Sequence, residues 1–221
     1  MNPLASAFVT ASAPSLAAGS TLVFFGDSIT DCGRDRAAAT SLGNGYVASV
    51  ASRLGFRHPD PDRIIYNRGN SGNRVGDLAA RVDHDVVAPA PAIVSILIGI
   101  NDTWRRFDRH EPTSTAAFLD GYRALLSRIQ EKTSTHLVLL EPFLLPVPAD
   151  RKTWREDLDP KIGVARELAV EFNATFVPLD GLFAAAATRA PAAYWLPDGV
   201  HPSSAGHALI ADAWLAATGL A

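Results

Sequence analysis

One serine, one histidine and the aspartate three places before that histidine are the residues whose types could do covalent chemistry together. Ser28 lies in Gly26-Asp27-Ser28-Ile29-Thr30, and the other two in Asp198-Gly199-Val200-His201-Pro202. A serine hydroxyl is a poor nucleophile at neutral pH and needs a base within hydrogen-bond reach, which His201 can supply. An acidic group must then fix the imidazole tautomer and stabilise the imidazolium. Asp198, across a glycine-containing turn, is close enough in sequence to meet the ring. Acyl transfer also needs donors for the tetrahedral oxyanion. Gly72, in Gly69-Asn70-Ser71-Gly72, allows a close backbone N–H; Asn101, in Gly99-Ile100-Asn101-Asp102, offers a side-chain amide; the Ser28 N–H is a third donor. Each residue has a plainer reading on its own. Ser28 or Asp27 could cap a helix, Asp198 and His201 could be turn residues, Gly72 a turn glycine, and Asn101 and Asp102 helix caps. Taken jointly, in this order and at loop positions, the residues favour chemistry.

The elements that must hold them emerge from the apolar pattern. Short apolar, β-branched runs at 22–25, 63–67, 92–98, 136–140 and 175–179 read as strands. Helical spacing appears at 46–54, ending at Gly55, and at 75–82, 114–132, 157–172, 182–188 and 204–217. Residues 31–45, 58–62 and 141–146 read as loops. Strands alternating with helices imply parallel βαβ units, hence an α/β fold: a three-layer α/β/α sandwich on a five-stranded parallel sheet. In such sheets ligands sit at the carboxyl ends of the strands, where the Gly-Asp-Ser, Gly-Asn-Ser-Gly and Gly-Ile-Asn-Asp segments fall. Residues 21–221 read as a single domain, preceded by an arm at 1–20 that is rich in Ala and Ser.

Composition narrows the partners. The chain has 221 residues, 48% hydrophobic and 19% charged, with a net charge of -3; that balance argues against a nucleic acid or an anionic membrane bound through general electrostatics. A single cysteine, Cys32, excludes an internal disulfide and a Cys-rich metal site. The first twenty residues contain no Lys or Arg and are interrupted by Pro and Ser, unlike a secretory signal. No run approaches the roughly 20 apolar residues of a membrane span. The expectation is a soluble, cytoplasmic protein.

In these segments the sequence resembles the GDSL, or SGNH, hydrolase superfamily. Its four blocks correspond to 26–30, 67–72, 99–102 and 198–202, and the resemblance spans residues 21–217. It implies a flavodoxin-like sandwich, a catalytic triad of Ser28, Asp198 and His201, and an oxyanion hole from Ser28, Gly72 and Asn101, with no metal or organic cofactor. Ser28 lacks a glycine two residues later, so this is not the α/β-hydrolase nucleophile elbow. A closer likeness, in residues 26–34, 45–47 and 98–105, is to the bacterial acetylxylan esterases of the superfamily. They are intracellular enzymes that deacetylate xylo-oligosaccharides and can form homo-oligomers. Asn70 departs from the apolar residue that often precedes Ser-Gly there.

Trp104, Trp195 and Phe143 are candidate substrate contacts, since an aromatic face can stack on a pyranose or close an acyl pocket; packing is the rival reading. Asp27 and Asp102 read as caps, Cys32 as a packing residue without a base of its own, and His207 as structural. Arg34, Asp35 and Arg36 read as a solvated loop that could border the cleft or a subunit contact. The expected activity is hydrolysis of acetyl esters on xylo-oligosaccharides or related sugars. A lipid-directed esterase, lysophospholipase or thioesterase would use the same triad, and a non-catalytic carbohydrate-binding protein is the reading from another class. Arg34, Arg68, Arg105 and Trp104 near the site argue against long acyl chains.

Overall fold

The computed structural model describes residues 16–221, so most of the arm read at 1–20 lies outside the described residues. Five strands, β1 (Thr21–Gly26), β2 (Ile64–Gly69), β3 (Ile93–Leu97), β4 (His136–Leu140) and β5 (Thr175–Val177), pair in parallel in the order β2-β1-β3-β4-β5. The order reverses at β1, so β2 and β3 flank it on opposite edges. The carboxyl ends are in register there: Gly26 pairs with Gly69 on one side and Leu97 on the other. The loops that leave these three residues therefore converge on one place.

The period of two along a strand divides the core. Leu22 and Phe24 of β1, with Val138 and Leu140 of β4, point to the face covered by α2 (Tyr46–Arg57) and α9 (Ser204–Thr218). Val23 and Phe25, with Leu137 and Leu139, point to the face covered by α3 (Val75–Val82), α5 (Thr115–Lys132) and much of α6 (Arg155–Glu171). The stripe Phe118, Tyr122, Leu125, Leu126 and Ile129 on α5 is buried there, as its spacing predicts. Ser95, polar in an otherwise apolar β3, is on the α9 face, where its Oγ accepts from Trp214 Nε1 at 3.0 Å.

Several boundaries differ from the sequence reading. Helix α2 continues through Gly55 to Arg57 because that turn is exposed and nothing packs against Gly55. β5 ends at Val177, and Leu179 opens α7 (Leu179–Ala187). β2 extends through Arg68 to Gly69, since both pair with β1. Ile100 to Asp108 form α4, an amphipathic helix too charged beyond Asp102 to register as periodic. Two single turns are too short to show a period: α1 (Ser28–Asp31), at the junction of strand end and loop, and α8 (Ala192–Trp195). Ser203 caps α9, accepting from Gly206 N–H at 3.2 Å.

Candidate active site

Asp27 ends the run of β1 and caps α1; its Oδ1 accepts the Ile29 N–H at 3.0 Å. That cap turns the chain sharply, so Ser28 opens the helix with its side chain half-buried while its neighbours Asp27 and Ile29 are buried. Ser28 Oγ lies 2.9 Å from His201 Nε2. His201 Nδ1 lies 2.7 Å from Asp198 Oδ2, and Asp198 Oδ1 accepts the backbone N–H of His201 at 2.7 Å and of Val200 at 3.0 Å. Ser28 and His201 are 173 positions apart.

The electrostatics fit this chain of bonds. Burial works against the Asp198 charge, but the His201 ring and the two backbone N–H groups outweigh it and hold the carboxyl well below its ordinary range. In return the Asp198 hydrogen bond raises His201, against partial burial. Ionised Asp198 accepts only, so Nδ1 carries the ring proton and Nε2 faces Ser28 as an acceptor. Buried Asp27 is pushed up to about 7 by desolvation, opposed by the Ile29 N–H and by His201.

The oxyanion candidates come from the two neighbouring strands. Gly72, at φ +86°, follows β2, and among the described residues its N–H has no acceptor within the protein. Asn101 is in the first turn of α4, after β3, and is buried. Arg105 Nη2 donates to Asn101 Oδ1 at 3.2 Å; a guanidinium only donates. The amide nitrogen therefore faces the other way, donating to the Asn73 carbonyl at 3.1 Å and lying 3.5 Å from Asp27 Oδ2. It is held beside the turn that carries Ser28. Asn101→Ala is expected to lower kcat by about 10²-fold or more with a much smaller change in KM, the usual result of losing one oxyanion donor; steady-state rates on an aryl acetate check it.

Three residues without an obvious sequence signal hold this loop system. Asp31, in α1, accepts from Ser71 N–H at 3.2 Å, Ser71 Oγ at 2.9 Å and Arg36 at 2.7 Å, so the helix that Ser28 opens grips the Gly72 turn. Arg81, in α3, donates to the carbonyls of Gly26 at 3.0 Å and Arg68 at 2.9 Å and to Asn73 Oδ1 at 2.9 Å. One guanidinium thus ties the ends of β1 and β2 to the residue that receives the Asn101 amide. Arg34, read as part of a solvated loop that could border the cleft or a subunit contact, is tucked against β2, donating to the Gly69 carbonyl at 2.8 Å. Such bridges join residues far apart in sequence, which is why periodicity does not reveal them.

Of the aromatic candidates, Trp104 reaches the site, its ring 5.8 Å from that of His201. Trp195 packs on the core between Arg189 and an edge-on Tyr194. Phe143 is a correction: its side chain is fully buried against Phe183, 4.4 Å away, so it forms the floor of the loop after β4 and meets no solvent. Cys32 does have a histidine beside it, with His207 Nε2 3.2 Å from its Sγ. The Tyr46 N–H donates to His207 Nδ1 at 3.1 Å, which forces the ring proton onto Nε2, facing the sulfur. His207 therefore cannot take the thiol proton, and burial drives its ionisation down to about 4. Asp102 accepts the Val75 N–H that opens α3. A cavity of about 710 Å³, lined by Thr21, Ala92 and Ser134 among others, is at the amino ends of the strands, away from Ser28. Among the described residues no group of three or more His, Cys, Asp or Glu side chains is arranged to hold a metal, and no helix is long and apolar enough to cross a membrane.

A hydroxyl, an imidazole and a carboxylate bonded in this order can carry out acyl transfer. Residues 24–209 match the model of the GDSL-like Lipase/Acylhydrolase family. The chain belongs to the GDSL-like acylhydrolases. This GDSL-like hydrolase is 39% identical over 209 residues to the acetylxylan esterase of Geobacillus stearothermophilus, covering 90% of this chain and 94% of that one. The crystal structure of the Geobacillus enzyme superposes with a TM-score of 0.84 at 35% identity, over 92% of this chain and 95% of that one. A Parabacteroides merdae protein described as GDSL-like reaches a TM-score of 0.91 at 40% identity, covering 95% and 100% of the two chains. Solved catalytic mutants of the Geobacillus enzyme replace a serine, an aspartate and a histidine. As a member of this family, the chain is a carboxylic ester hydrolase with the α/β sandwich of its relatives.

Proposed function

We propose that this ester hydrolase removes acetyl groups from xylo-oligosaccharides or related acetylated sugars through an acyl-serine intermediate, with Ser28, His201 and Asp198 as its triad. The observation that carries the mechanism is the unbroken hydrogen-bonded chain from Ser28 Oγ through the His201 ring to Asp198, 2.9 and 2.7 Å. Ser28 Oγ attacks the ester carbonyl while its proton passes to His201 Nε2. The oxyanion accepts from the N–H groups of Ser28 and Gly72 and from the Asn101 amide. His201 returns the proton to the departing sugar oxygen, leaving an acetyl-serine. Water, deprotonated by the same nitrogen, then attacks the acyl carbon, and collapse releases acetate and restores Ser28.

Supporting the acetyl and sugar specificity are the Geobacillus acetylxylan esterase at 39% identity and the aromatic group beside His201. Trp104 lies against His201, and Trp104 is itself backed by Trp154 at 5.3 Å and by Arg151 at 4.5 Å. A rigid aromatic group with a cation suits a sugar face and a short acyl group better than a flexible alkyl chain. The test sets acetate release from acetylated xylo-oligosaccharides beside hydrolysis of aryl esters from acetyl to dodecanoyl. The expected outcome is sugar deacetylation, with kcat/KM falling steeply beyond the shortest acyl chains. Efficient cleavage of long chains with no sugar deacetylation would replace this substrate by a lipid.

A further inference from the structure

The geometry points to Arg151 as the positioning residue of the acid–base pair: it clamps the turn that carries Asp198 and His201 and keeps a fixed positive charge beside the imidazole. Arg151 lies in a single 3₁₀ segment, Ala149–Trp154, in the long connection after β4. Its Nη1 donates to the backbone carbonyl of Asp198. Its guanidinium carbon is 4.5 Å from the ring centre of Trp104 and 4.7 Å from that of Trp154, so two indoles fix its plane. Phe107 in turn stacks on Trp154 at 5.2 Å and 9°.

The same connection grips the turn elsewhere. Leu145 N–H donates to the Gly199 carbonyl at 3.0 Å. A Cβ on Gly199, which has φ +81°, would collide with the carbonyl oxygens of Leu145 and Val147. Glycine is thus required where the two segments touch. The Asp198–His201 turn is seated on the β4 connection by backbone contacts at Gly199 and by one side chain, Arg151, at Asp198.

Four charged or titratable groups face His201. Asp198 on its own turn favours the imidazolium, as does Asp27 at the start of α1 when ionised; Arg151 opposes it, and His207 of α9 is held neutral by burial. α4 brings the uncharged Trp104. Arg151 is therefore the fixed cation among them. A triad needs Asp198 close to hold the tautomer, but that proximity also favours a protonated, useless base. Arg151 offsets this cost, extending activity to lower pH, while its hydrogen bond goes to the Asp198 carbonyl and leaves both carboxylate oxygens to the histidine and the turn.

This inference rests on the proposed role of His201 as base, and the experiment separates the two. The pH dependence of kcat/KM on an aryl acetate is measured for the wild type, Arg151→Gln, Arg151→Met and Arg151→Lys, each checked by thermal melting, with Ser28→Ala assayed alongside. The acid limb reports the free-enzyme base. Arg151→Gln and Arg151→Met, the latter keeping an apolar stem on the indoles, are expected to move that limb up by about half a pH unit. Their plateau kcat should fall about tenfold, as for a loosened catalytic geometry, with KM little changed. Arg151→Lys keeps the charge and is expected to keep the wild-type limb. Limbs in Gln and Met that coincide with the wild type, or a Lys variant that moves as far as Gln, would overturn the role of Arg151. Full activity in Ser28→Ala would overturn the mechanism itself, whatever the Arg151 variants do.

Discussion

Ser28→Ala is expected to lower kcat by at least ~10⁴-fold, leaving the melting temperature within a few degrees of the wild type. The magnitude reflects the division of labour in a triad: without the hydroxyl there is no covalent intermediate, and removing the nucleophile costs nearly as much as removing the whole constellation. The fold is spared because Ser28 is only half-buried and its side chain bonds only to His201. The cap that forms the turn belongs to Asp27, and the packing to Ile29. His201→Ala should match Ser28→Ala, and the double variant should be hardly worse than either, because both act in one proton transfer. Turnover on an aryl acetate with a parallel melting curve checks the prediction. Near-wild-type kcat in a well-folded Ser28→Ala would falsify the assignment of the nucleophile.

Asp198→Asn should be almost as severe, with a loss of ~10³- to 10⁴-fold in kcat, and for a subtler reason. The two carboxylate oxygens do different work. Oδ1 accepts the Val200 and His201 N–H groups, and Oδ2 accepts from the imidazole. In asparagine the carbonyl oxygen must stay with the backbone donors, since an NH₂ group facing them would leave both unpaired. The amide nitrogen then faces Nδ1 as a donor and turns that nitrogen into an acceptor. The ring proton moves to Nε2, and a donor points at Ser28 where an acceptor is needed. The turn is preserved and the base is lost, so the variant should melt nearly like the wild type while its kcat collapses. Asp198→Ala removes the turn contacts as well and should lose stability in addition.

The strands and the residues of the site differ in how legible they are. β1, β3 and β4 announce themselves as buried apolar runs cut off by glycine or proline, because a central parallel strand has no wet face. Ser28, Gly72, Asn101, Asp198 and His201 can be named as candidates because each follows a strand or precedes a helix in a short, distinctive block. The structure brings Ser28, His201 and Asp198 into one hydrogen-bonded chain. α4 escapes because its charged outer face hides its period, and β2 reads two residues short because Arg68 and Gly69 look like loop. Phe143 is misplaced because sequence cannot tell a loop aromatic that folds inward from one that faces the cleft. Arg81 and Arg151 are opaque for a common reason. A lone arginine reads as solvent-facing until tertiary structure supplies carbonyls and aromatic rings around it.

The span of 173 positions between Ser28 and His201 has a consequence for the order of assembly. β1 is the middle of the sheet's reversal and pairs with β2 and β3, so the proposed nucleophile and both proposed oxyanion loops come from the first half of the chain. The proposed base, His201, comes just before α9, which docks on α2 and sends Trp214 to Ser95. A nascent chain still lacking α9 and the turn before it would hold a half-built site incapable of turnover. Contacts this distant in sequence are also the slow ones to form. Ester hydrolysis should therefore return only with the last step of refolding, later than the recovery of helical signal. The enzyme's own turnover would then serve as a clock for the docking of its carboxyl-terminal helix.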